Sequence, residues 1–170
     1  MDNNNFTLNV NMNNLEEDER KQFIALIEKA NKPKSKIWKP SNSNRAYFYL
    51  TSTGNISYDC WGGEQFDEDR YKLGNCYPTR EDAEFATEAY KVYVELKRYA
   101  EEHNDTKIDW TTVNTKVVIT YRYNLKMIHY VCTHNVQDIG QIYFSSEKIA
   151  KAAVEEIGED RIKKYLFRVE

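Results

Sequence analysis

Proline and glycine are scarce in this chain, 3 and 6 of 170 residues, so its composition is that of a globular protein rather than a linker or low-complexity segment. Cysteine is as sparse. Cys60, Cys76 and Cys132 are odd in number and form no CxxC pair, which argues against a disulfide framework. No apolar run approaches the length of a membrane span, and the first residues lack the basic and apolar regions of a signal peptide. A soluble, intracellular protein is expected. Positive charge is not in excess either: the formal net charge of −3 provides no general field for nucleic acid.

Against these shortages stand 13 tyrosines, 41% hydrophobic residues and 30% charged ones, in a length that can bury a core as one domain or two small, tightly packed units. The clearest element is a long helix running to His103. Thr79 is a good N-cap, Asp82 stands where a capping-box carboxylate would, and Glu81, Asp82 and Glu84 suit the positive end of the helix dipole. Phe85, Ala89, Val92, Leu96 and Tyr99 recur at helical spacing, with Ala86, Tyr90, Tyr93 and Ala100 as a second stripe. Two adjacent stripes predict a wide apolar face, as for a helix lying across a sheet.

A shorter echo follows. Gly74 matches Gly140, Tyr77 matches Tyr143, Thr79 matches Ser145, Glu81 matches Glu147 and Ala86 matches Ala152, in one unbroken register. Trp38 precedes the first copy and Trp110 the second. Each copy reads as Trp, strand, turn, strand, Gly-x-x-Tyr and capped helix, which predicts an α+β protein. It would hold two similar antiparallel-sheet-plus-helix (ββα-type) units, an N-terminal helix and a short C-terminal helix. The expected boundaries are 1–36 for the N-terminal extension and helix, 37–106 for the first unit and 107–170 for the second, packed with the first as one domain.

Along the chain, Phe6, Leu8, Val10 and Met12 alternate as a short strand would, and Asn14 is the expected cap of a helix ending near Asn31. That helix is expected to dock by its apolar C-terminal half. Strands are expected over 46–51, 56–61, 116–123, 127–133 and 141–144. The stretch 64–70 reads as a polar loop, and 71–73 as a third strand or tight turn. Gly158 should end the second capped helix, with a last short helix over 160–167.

Candidate chemistry is thin. His129, Cys132 and His134 are the nearest approach to a metal set, but on a strand 129 faces away from 132 and 134, and no further ligand is spaced for it. Two surface histidines beside a buried thiol are the better reading. Glu64, Asp67, Glu68 and Asp69 could pair as acid–base or cation-binding carboxylates, but a solvated acidic loop is the plainer reading, and as part of the acidic surface they could also meet a basic protein surface. Gly62-Gly63 could offer amides to a phosphate, though no Lys-Ser/Thr follows. No nucleophile elbow is present. Neither enzymatic activity nor a cofactor is expected. Lys32, Lys34, Lys36, Trp38, Lys39 and Arg45 combine cations with an aromatic, the ingredients of a nucleic-acid contact. Trp38, repeated as Trp110 without the lysines around it, reads better as a core anchor. A pocket for a signalling nucleotide would draw on Trp61, Tyr77, Tyr143, Arg70 and Arg80.

Three blocks carry a resemblance: W-x-P at Trp38 to Pro40, R-x-x-x-GN-x-Y-x-T-x-E-D-A from Arg70 to Ala83, and G-x-I-Y-F-x-S-x-x-x-A from Gly140 to Ala150. From about Asn14 onward the chain resembles small phage and prophage proteins of low-GC Gram-positive bacteria. Asp82 stands where their second Glu recurs. The resemblance assigns no catalytic or binding residue. It implies an accessory phage product in the host cytoplasm that acts against host defence. Such a product docks on a defence protein or nucleoprotein complex such as a CRISPR effector, or sequesters a signalling nucleotide. The leading expectation is a non-enzymatic inhibitor working by protein–protein contact.

Overall fold

The computed structural model describes residues 11–31, 37–40, 46–105 and 107–169. Two compact units divide the chain, Met1–Trp38 and Lys39–Glu170. In the first unit Asn11 caps a 3-10 turn, Met12–Asn14, its side chain accepting from the Asn13 amide at 3.1 Å. Met12 is therefore in a turn and not in the expected strand, whose other members lie outside the described residues. Helix α1 spans Glu17–Asn31. It begins after the expected Asn14 cap because the Glu19 carboxylate reaches back to the Glu16 amide at 2.9 Å. Its Ile24, Leu26 and Ile27 are exposed, contrary to the expected docking of that half.

The second unit is α+β. Strands β1 (Ala46–Leu50) and β2 (Ile56–Cys60) form an antiparallel hairpin whose turn contains Gly54 at φ +81°. Helix α2 (Gln65–Lys72) follows, then α3 (Arg80–His103). Strands β3 (Lys116–Arg122) and β4 (Met127–Thr133) make a second antiparallel hairpin before α4 (Glu147–Ile157) and α5 (Glu159–Leu166). Two readings are corrected here. The stretch 64–70 is mostly helix, not a loop, and 71–73 is that helix's end, not a strand. Asp67 is the physical reason, because its carboxylate accepts the amide of the N-cap residue Glu64 and those of Gly62 and Gly63 just before it, which fixes the chain's entry into the helix.

Both hairpins are built alike. Phe48 of β1 exchanges both backbone hydrogen bonds with Tyr77, just before α3, and Val117 of β3 does the same with Phe144, just before α4. The caps follow suit: Thr79 Oγ1 accepts from the Asp82 amide at 3.1 Å, and Ser146 Oγ from the Ile149 amide at 3.3 Å. Ala83 and Ala150, one turn inside each helix, have no exposure at all. The structural repeat thus aligns Tyr77 with Phe144 and Thr79 with Ser146, one residue away from the register in which Tyr77 meets Tyr143. The extra residue lies between Gly140 and Phe144.

Helix α3 packs on β1 and β2 as well as on α4 and α5. Its Val92, Leu96 and Ala100 join Val117, Ile128, Phe144, Ala150, Ala153, Val154 and Ile162 in one buried cluster. Tyr90, placed on an apolar stripe by its spacing, is exposed instead. Gly158, at φ +100°, is both the end of α4 and the start of α5, so the chain reverses without a linker. Arg161 of α5 then pairs with Glu95 and Glu88 of α3 and ties the last helix down.

Buried Lys116 is satisfied in full. Its ammonium donates to the carbonyls of Thr112, Asn114 and His134 at 3.3, 2.9 and 3.0 Å and lies over the Trp110 ring. The lysine holds the irregular 110–116 segment against the start of β3.

Candidate contact surface on helix α2

The stretch after β2 gathers several of the residues singled out in the sequence. Asp67 is fully buried. One of its carboxylate oxygens accepts the amides of Gly62, Gly63 and Glu64 at 2.8, 3.0 and 3.3 Å; the other accepts the Tyr47 hydroxyl at 2.7 Å. Burial by itself would raise the Asp67 carboxyl, but the hydroxyl and the three amides outweigh it and hold the group below the usual carboxylate range. The Gly62-Gly63 amides that could have met a phosphate are therefore occupied by the chain's own carboxylate.

Tyr47 passes the network on. Its oxygen accepts from Arg70 Nη1 at 2.6 Å, and the same nitrogen donates to Asp59 at 2.9 Å. Burial, with the bond to Asp67, pushes the Tyr47 hydroxyl well above the ordinary tyrosine value, so it remains a hydrogen-bond donor. Among the described residues no buried side-chain nitrogen or oxygen is left without a hydrogen-bond partner, those of this network included. It is a support.

What it supports lies outside it. The Arg70 guanidinium is 3.7 Å from the Tyr49 ring centroid and 5.1 Å from that of Phe66. Phe66, Asp69, Arg70 and Leu73 follow one another at helical spacing along one stripe. Phe66 is 50% exposed and Leu73 83% exposed. On the other flank Lys39 pairs with Glu68 at 2.8 Å and sits over the rings of Trp61 and Tyr71, at 4.7 and 4.8 Å. Nearby Cys76 is half-buried, and burial pushes its thiol up to about 11, which makes it a poor nucleophile at neutral pH.

The acidic four are thus not a free patch. Asp67 points inward, Glu64 stands at the N-cap, Glu68 is held by Lys39, and Asp69 accepts from Gln65 at 2.7 Å. This corrects the expectation for Asp67, which is buried and cannot face a partner; Glu64 and Asp69 remain exposed and Glu68 partly so. Lys39 belongs to the same pair instead of a basic surface. Trp38 is half-buried, and Lys32, Lys34, Lys36 and Arg45 lie outside the described residues.

The five residues suggested for a nucleotide pocket do not converge. Trp61 and Arg70 belong here. Tyr77 lines a cavity of about 860 Å³ between the start of α3 and the end of the chain, Arg80 one of 550 Å³ beside it, and Tyr143 a third of 570 Å³. His129 lies opposite Thr120 and Cys132 opposite Val117, and Cys132 is exposed, not buried. Among the described residues no group of three or more His, Cys, Asp or Glu side chains converges as metal ligands would. Nor is any described helix long and apolar enough to cross a membrane.

Sequence reasoning missed Tyr47, Tyr49, Phe66 and Leu73. The signal was present in two parts: the alternation of Tyr47 and Tyr49 in β1, and the helical spacing of Phe66, Arg70 and Leu73. Reading 64–70 as a loop concealed the second. No protein-family model, curated protein or solved structure matches the chain.

Proposed function

We propose that this chain is a non-enzymatic, phage-encoded binding protein that inhibits a bacterial defence system, in the manner of an anti-CRISPR, by protein–protein contact through the outer face of α2. The observation that carries the contact surface is Arg70 lying over the rings of Tyr49 and Phe66 while hydrogen-bonded to Tyr47 and Asp59, with Phe66 and Leu73 left open to solvent. Aromatic and arginine side chains held in one conformation lose little entropy on binding and dominate the energetics of protein interfaces. The phage setting rests on the resemblance of the Trp38–Pro40, Arg70–Ala83 and Gly140–Ala150 blocks.

The test combines activity and capture. Expressed in a strain that carries the matching defence system, the protein should restore phage plating and co-purify stoichiometrically with one component of that system. Phe66→Glu and Leu73→Glu, both at exposed positions, should abolish both effects while the protein stays folded by circular dichroism. Capture of nucleic acid alone, released by salt, would overturn this reading in favour of the basic segment of Lys32, Lys34, Lys36, Lys39 and Arg45.

A further inference from the structure

The two hairpins differ at their free edges. Because Val117 gives both of its backbone groups to Phe144, it cannot also bond Cys132 across the hairpin. The alternation of antiparallel pairs then fixes the phase along β4: Lys116, Val118, Thr120 and Arg122 bond to their partners, whereas Ile128, Tyr130 and Cys132 direct N–H and C=O outward. Among the described residues no backbone group pairs with that edge. The seven-residue strand runs in unbroken register, and MIHYVCT contains no Asp, Glu, Lys, Arg or Pro. It therefore lacks the charges, proline and bulge that commonly protect an edge. Strand β2 is protected: it is five residues long, and the Asp59 carboxylate accepts its own neighbour's amide, Cys60 N, at 2.8 Å.

We propose that β4 pairs antiparallel with β4 of a second copy of this chain, joining two hairpins into one continuous sheet across a two-fold axis. The edge is self-complementary. Centred on Tyr130, the pairing sets Ile128 opposite the second copy's Cys132 and engages every outward group, for about six inter-strand hydrogen bonds. No like charges meet, since the strand carries none. Met127 and Val131, 48% and 38% exposed, would lie opposite Thr133 and His129 of the second copy and lose solvent contact. An edge of this length buries less than a standard interface, so the dimer should be weak, with a dissociation constant in the micromolar range.

Sedimentation equilibrium of the full chain over a wide concentration range, with reductant to keep Cys60 and Cys132 from cross-linking, should show a reversible monomer–dimer equilibrium. Cys132→Pro removes an outward N–H and no bond of the hairpin, and should weaken association by at least about tenfold. Val131→Lys leaves the backbone untouched and should do the same by placing a charge at the junction. Circular dichroism verifies that each variant is folded, and Phe66→Glu should leave the dimer unchanged. A monomer at every concentration would overturn the proposal, as would a dimer that survives both folded variants.

Discussion

Asp67 shows at the scale of one residue why composition misleads about function. Four acidic residues within 64–69 look like a surface, yet the most useful of them is the one with no solvent contact. Its carboxylate replaces water at three amides and one hydroxyl, so removing the charge leaves those donors poorly matched. Asp67→Asn should cost about 2–4 kcal/mol at pH 7, read from urea unfolding. The pH dependence follows from the depressed folded-state value. Stabilisation by Asp67 is complete above the unfolded carboxylate pKa of about 3.9 and is lost as pH falls through the lower folded value. Wild-type stability should therefore fall on acidification below about pH 4, and the part due to Asp67 should be missing in the Asn variant. Equal stability of the two proteins at neutral pH would remove the network's assigned role.

At the scale of elements, the repeat is decided by caps and bridges, not by the residues that look most alike. Thr79 and Ser146 cap their helices with the same geometry, while Ser145, the better match by eye, instead bonds Asp105 through its hydroxyl. Thr79→Ala and Ser146→Ala should each lower stability by about 1 kcal/mol. Thermal melts of both variants would check this, and a Ser146→Ala protein as stable as wild type would return the register to Ser145. The periodicity of α3, its N-cap and its C-terminal break were legible because they depend on neighbours within one or two turns. Helix α2 was not. Its apolar positions are few, and its start is organised by Tyr47, twenty residues away in sequence.

At the scale of the whole molecule, α3 packs on the first hairpin, and its C-terminal half shares a buried cluster with Val117 and Ile128 of the second. Phe144 forms a single bridge with Val117 of the second hairpin instead of the strand expected over 141–144, belongs to that cluster and has no exposure. Phe144→Ala should cost about 3–5 kcal/mol, the transfer term plus the cavity left behind. Native-state hydrogen exchange should find the slowest amides at Val92, Val117 and Phe144, where a backbone hydrogen bond coincides with burial in the cluster. Faster exchange there than in α2 would place the stable core in the first hairpin instead.

The sequence by itself determined the class of fold, the two-part repeat, the long capped helix and both hairpins, because each is written in short-range spacing of apolar, turn and capping residues. Only the tertiary structure decided which charges are free. Lys39, Asp67, Arg70 and Lys116 all look like surface residues in the chain, and all four are engaged by groups distant in sequence or by backbone carbonyls. The cost of burying a charge without a partner makes such pairings compulsory once the chain folds, but which groups meet depends on contacts between elements. The open edge of β4 is of the same kind: whether a strand is inner or outer is a property of the sheet, and no local pattern records it.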